Sequence, residues 1–228
     1  MSQEQQQTYA FAAFWLYKRS ETWFALEETD WERECTESAR VISEPGEGVT
    51  LRGTYASIGL NANADMIVWA TSPEFDRLQQ YAVAIDKSPL GRRLTMVESY
   101  IGVGGMSLYD KTHGPAFLKG EPPKRYLSVY PFTKTPDWYL VPFEERRRLM
   151  IEHGELGREY PTILTNTVNS FGIQDQEFIV ALEDDDPHEL IKMVQRLRAA
   201  EVRKYTAIDT PIYLGNRKPV GEVFEDLR

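Results

Sequence analysis

The chain has 228 residues, 42% of them hydrophobic and 12% aromatic, enough for one large core or two small ones. A formal charge of −9 argues against nucleic-acid and membrane-surface partners, which call for a basic face. The lone Cys35 excludes an internal disulfide, "MSQEQQQTYAF" lacks a signal-peptide pattern, and no apolar run approaches the roughly 20 residues of a membrane span, so a cytoplasmic globular protein is expected.

In chain order, "YAFAAFWLYK" (Tyr9–Lys18) is an apolar, aromatic strand candidate. A charged helical stretch follows, "SETWFALEETDWERECTESARVI", and then a strand pair, "VTLRGTYASIGLNANADMIVWATS". A proline opens the amphipathic "PEFDRLQQYAVAIDKSPLGRRL", and "TMVESYIGVGG" closes the half as a strand. The second half repeats the plan. It runs from the strand "RYLSVYPFTK" through the helix "VPFEERRRLMIEHGELGREY" to the pair "PTILTNTVNSFGIQDQEFIVALED", with a turn near Gly172–Gln176. The helix "PHELIKMVQRLRAAEVRKY" follows, with Leu190, Met193, Val194 and Leu197 as its core stripe, and "TAIDTPIYLGN" ends the half. Pro142 suits a helix start, with Glu144 and Glu145 in the first turn.

The expected fold is therefore α+β, two tandem ferredoxin-like β-α-β-β-α-β units. Residues 1–105 form the first half, 106–124 a Gly- and Pro-rich connector, and 125–228 the second half. Dinucleotide, Walker, nucleophile-elbow and CxxC motifs are absent. The acidic run "EDDDPHE" reads as a helix cap with a solvated face, and His188 beside it as a surface residue.

The other two histidines each carry two readings. His153 stands near a helix end that Gly154 or Gly157 would terminate; it either complements the helix dipole or points inward as a ligand to a metal or haem iron. His113, in the connector, reads as a solvated loop residue unless something nearby uses it. Tyr130 and Trp138 read as packing residues that gain redox meaning only beside an oxidising cofactor.

These features resemble the chlorite dismutase superfamily of haem proteins, whose members are α+β barrels built from two ferredoxin-like units. "YPFTKTPDWYLVPFEERRRLMIEHG" is similar to the signature of its coproheme decarboxylase branch, and the similarity spans about Tyr9 to Gly215. The resemblance implies His153 as the proximal iron ligand, Tyr130 as the radical-bearing catalytic residue and Lys134 beside a substrate propionate. It implies His113 as the distal base of the actinobacterial type, and Trp138 as a second redox residue. Arg158 and Arg198 are expected to supply local positive charge for propionates. Two departures stand out. Phe132 replaces a methionine common among relatives. The segment "ILTNTVNSFG" lacks the distal arginine of true chlorite dismutases, which argues against chlorite decomposition.

The implied substrate is iron coproporphyrin III (coproheme), which serves as its own redox centre, and the implied product is haem b, with hydrogen peroxide as oxidant. A homopentamer is implied, along with transient contact with the coproporphyrin ferrochelatase; no nucleic acid or membrane partner is expected. A non-catalytic haem-binding or haem-sensing protein of the same superfamily is the alternative, and a cofactor-free α+β barrel is a third reading.

Overall fold

The computed structural model describes residues 9–109 and 114–228, so His113 lies outside the described residues. The first half contributes β1 (Ala10–Arg19), α1 (Glu28–Ser43), β2 (Thr50–Ala56), β3 (Met66–Ser72), α2 (Phe75–Lys87) and β4 (Leu94–Gly104). The second contributes β5 (Tyr126–Lys134), α3 (Pro136–Leu140), α4 (Phe143–Arg158), β6 (Leu164–Asn169), β7 (Phe178–Asp184) and α5 (Pro187–Leu197). It ends with β8 (Thr206–Ile208), β9 (Tyr213–Lys218) and α6 (Val220–Leu227).

Strand order is β7-β6-β4-β1-β3-β2-β9-β5-β8, and β7 also pairs with β5. That last pairing closes eight strands into an antiparallel barrel, with β8 branching from β5. Each half keeps the ferredoxin-like order, and the halves join where β2 meets β9 and where Val103 of β4 meets Asn169 of β6. Closure removes the sheet edges that would otherwise invite pairing with other chains.

Alternation along each strand sends one set of side chains inward. Phe14, Tyr55, Trp69, Leu127, Val168 and Ile179 fill the barrel interior. The opposite face of the first half is covered by α1, α2 and α6, with Trp31, Leu78, Tyr81 and Phe224 buried against it. On the second half, Leu190 and Met193 of α5 pack with Val194 and Leu197 against Leu182, Val180, Tyr130 and Leu214, which bears out the expected stripe.

One end of the barrel is tied to the connector by a buried network. Arg52 donates to Glu183 through Nη2 at 2.6 Å and Nε at 3.0 Å, and through Nη1 to the Glu121 carbonyl at 3.0 Å. Glu183 also accepts from Asn166 Nδ2 at 3.0 Å and from the Lys124 backbone at 3.1 Å. Because a buried carboxylate needs nearly every lone pair met, this network fixes where the connector rejoins β5.

Several local expectations change. The helix expected over "PHELIKMVQRLRAAEVRKY" is α-helical only to Leu197, and Glu201–Tyr205 forms a 3-10 turn instead. The helix bearing His153 does not stop at Gly154 or Gly157; α4 runs through both to Arg158. It is also preceded by a separate short helix, α3, which holds Trp138, because Pro142 interrupts the ladder and caps α4. The closing strand "TAIDTPIYLGN" divides into β8 and β9, with Asp209–Ile212 belonging to neither.

Candidate active site

Alternation on β5 places Tyr130, Phe132 and Lys134 together on the outer face of the second-half sheet, since Leu127 and Val129 point into the barrel. The face is bounded by α5 on one side and by α3 and the 3-10 turn Glu201–Tyr205 on the other. That turn is held to the β5–α3 junction by the Thr135 backbone, which donates to the Tyr205 carbonyl at 2.8 Å. β8 then pairs with β5 at Thr133–Ile208 and Lys134–Thr206.

Lys134 is the most constrained group here. Only 8% of the residue is exposed, and its Nζ lies 4.7 Å from the Trp138 ring centroid and 5.0 Å from that of Phe132. Burial pushes its ammonium down to about 8; Glu177 opposes this and the like charge of Arg203 adds to it. A cation kept between aromatic faces and short of full solvation can accept an anionic partner. Glu177 is occupied elsewhere on this wall: its Oε2 accepts from the Lys134 backbone at 2.7 Å and from the Tyr139 hydroxyl.

Tyr130 is half-buried, and burial pushes its phenol up to about 12. Arg198 and Arg203 pull it the other way and Asp209 reinforces the rise. Both arginines pair with Asp209: Arg198 through Nη1, and Arg203 through Nη2 at 3.3 Å. Tyr130, Lys134, Trp138 and Arg198 are therefore brought to one face, as four of the expected site residues.

His153 stands on α4 one turn after Leu149 and one turn before Leu156. Those two leucines pack in the cluster that contains Trp138, Val202 and Tyr205, so the histidine shares their side of the helix. Its position well inside α4 removes the helix-end reading, because the dipole effect fades beyond the last turn. Arg158 is exposed in that last turn. His188 is exposed at the start of α5, where its backbone donates to the capping Asp186 side chain at 2.9 Å, as the cap reading expects. On β6, Thr165 and Thr167 alternate with the buried Asn166 and Val168, so no cation extends from that strand.

The sequence did not single out Arg203, Asp209 or Glu177. Arg203 lies in the stretch read as the end of the second amphipathic helix and Asp209 in the expected closing strand; the chain instead forms a 3-10 turn and the short β8, whose pairing with β5 brings both toward Tyr130.

The fold and the site define a closed α+β barrel of two ferredoxin-like halves, with one cationic, tyrosine-bearing face on the second half. The chain belongs to the chlorite dismutase family, whose model matches residues 31–218. It is 38% identical over 181 residues to the coproheme decarboxylase of Mycolicibacterium smegmatis, covering 79% of this chain and 78% of that protein. With the coproheme decarboxylase of Staphylococcus carnosus it shares 30% over 154 residues, covering 60% of this chain and 62% of that protein. A variant of chlorite dismutase from Candidatus Nitrospira defluvii superposes with a TM-score of 0.87 at 22% identity, over 97% of this chain and 95% of that one, which shows the shared fold.

Proposed function

We propose that this chain is a coproheme decarboxylase that uses hydrogen peroxide to convert two propionates of iron coproporphyrin III to vinyl groups, giving haem b at the end of coproporphyrin-dependent haem synthesis. The observation that carries this reading is the grouping of Lys134, Arg198 and Arg203 around Tyr130 on one sheet face. That donor set fits a porphyrin bearing carboxylates: guanidinium forks and a poorly solvated ammonium suit propionates, and the imidazole of His153 suits iron. The likeness to the Mycolicibacterium smegmatis coproheme decarboxylase supports the same substrate.

When bound, the substrate's iron supplies one-electron oxidation driven by peroxide. For each propionate the balance is one peroxide and one proton consumed, with one carbon dioxide and two waters released. His153, on α4, would hold the substrate's iron through its imidazole. His113 serves as the base that takes the peroxide proton and returns it. Tyr130 keeps its phenol proton throughout the physiological range, so it gives up a hydrogen atom as a neutral group and takes one from the propionate β-carbon. Loss of carbon dioxide and one further electron then leaves the vinyl group. Lys134, with Arg198 and Arg203, orients the reacting propionate; Arg158 adds positive charge at the end of α4. Trp138, against Lys134, serves as a second redox residue for the other propionate. In this reading the enzyme works in the cytoplasm as a homopentamer and meets the coproporphyrin ferrochelatase transiently.

The test is mass spectrometry of the porphyrin during peroxide titration of purified protein loaded with iron coproporphyrin III. Two successive losses of a carboxyl group, ending at haem b, are expected. Binding without any mass change would replace the enzyme by a haem-binding or haem-sensing protein. Absence of a Soret band on mixing would leave a barrel without porphyrin.

A further inference from the structure

The two guanidinium groups whose charge acts on Tyr130 already have a partner. Both are held by one carboxylate, Asp209, which accepts from Arg198 Nη1 and lies 3.3 Å from Arg203 Nη2. Asp209 carries the same functional group as a propionate and lies beside the same phenol, whose ionisation it and the two arginines all influence. Exposure differs within the trio. The Asp209 side chain is 16% exposed, while Arg198 and Arg203 keep 42% and 36%, so the guanidinium groups retain open faces that an incoming carboxylate can reach. Asp209 also follows the last residue of β8 and precedes β9, so its side chain can withdraw without breaking a strand pairing.

From this arrangement we infer that Asp209 is an internal stand-in for the substrate's reactive propionate: it occupies Arg198 and Arg203 in the empty site, gives them up when that propionate arrives, and takes them back once the propionate has become a vinyl group. The inference rests on the proposed function and deepens it, by making Asp209 a residue that sets selectivity between substrate and product. Its physical basis is competition. A tetracarboxylate porphyrin competes with Asp209 for the arginines, and so binds less tightly than the arginines alone would allow. A porphyrin with a neutral vinyl group at that position leaves the Asp209 pairs intact and is indifferent to them. Without Asp209, conversion of the propionate would leave both guanidinium groups to water through their open faces, with only a modest loss of pairing energy.

The experiment compares the wild-type chain with Asp209→Asn and Asp209→Glu by Soret titration with iron coproporphyrin III and, separately, with haem b. Thermal melts establish that each variant folds. The asparagine is isosteric and neutral, and the ion pairs it removes are partly solvated, so the expected gain is moderate. Coproporphyrin binding tightens about three- to tenfold, and haem b binding stays within about twofold. Asp209→Glu keeps the charge and is expected to bind both porphyrins within about twofold of wild type. Unchanged or weaker coproporphyrin binding by the asparagine variant would mean that Asp209 positions the arginines for substrate, and would overturn the inference. Equal tightening for both porphyrins would overturn it too, since Asp209 would then not distinguish the propionate from the vinyl group. A wild-type chain that binds neither porphyrin defeats the proposed function and takes the inference with it. A wild-type chain that binds coproporphyrin while the asparagine variant gains nothing defeats the inference alone.

Discussion

Replacing Lys134 with methionine should make the empty protein more stable and a poorer binder of coproheme. Burial lowers the Lys134 ammonium from the ordinary 10.5 to about 8. A difference of that size corresponds to roughly 3 kcal/mol of unfavourable free energy for the charged form in the folded chain. The contacts to Trp138 and Phe132, at 4.7 and 5.0 Å, offset part of the burial cost and are exchanged for sulfur–aromatic contacts in the variant. The expected gain at pH 7 is therefore about 1–3 kcal/mol, or roughly 2–12 °C in Tm for a chain of this size. The sign of its pH dependence follows from proton counting. Below pH 8 the lysine is protonated in both states and the folded chain bears the full cost. From about pH 8 to 10.5 the folded chain sheds the proton while the unfolded chain keeps it, so wild-type stability rises and the advantage of the variant shrinks. Urea denaturation of both proteins at pH 7 and at pH 10, paired with porphyrin titration at pH 7, measures all three quantities. Coproheme affinity should fall by about tenfold. A variant less stable than wild type at pH 7, or an advantage that does not change with pH, would refute the view of Lys134 as a buried cation kept for an anionic substrate.

Substituting His153 with alanine should weaken iron coproporphyrin III by at least about tenfold while leaving metal-free coproporphyrin III nearly unaffected; parallel absorbance and fluorescence titrations separate the two. Tyr130→Phe should fold with a stability change within about 1 kcal/mol and bind coproheme normally, yet form haem b at least about a hundredfold more slowly in stopped-time mass spectra. Because burial pushes the Tyr130 phenol up to about 12, the wild-type rate should show no step from its ionisation between about pH 6 and 10. At Gly91 an added Cβ would lie 1.8 Å from the Ile85 carbonyl oxygen, so Gly91→Ala should cost at least about 2 kcal/mol by urea denaturation. Gly154→Ala, with nothing within 4 Å of its Cβ and a place inside α4, should instead add about 0.5–1 kcal/mol.

Much of this molecule is written locally. The repeated β-α-β-β-α-β order follows from burial periodicities that each segment carries by itself: alternation in β5 and the spacing of Leu190, Met193, Val194 and Leu197 in α5. Alternation also puts Tyr130 and Lys134 on one face without any knowledge of what covers it. Other features depend on partners distant in the chain. The joins of β2 to β9 and β4 to β6 close the barrel, and the apolar stripe of α6 acquires meaning only against the first-half core. The continuation of α4 through Gly154 and Gly157 also differs from the local signal, since glycine weakens a helix by only about 1 kcal/mol and packing of Leu149 and Leu156 outweighs it. Arg203 and Asp209 are the clearest case. Nothing in "EVRKYTAIDTP" marks them, because their chemistry arises from a two-residue pairing of β8 with β5 that sets their charges beside a tyrosine more than seventy positions earlier. Side-chain periodicity is a property of one segment and survives in the sequence, whereas the meeting of charges across a closed sheet is fixed by strand register, which only the folded chain supplies.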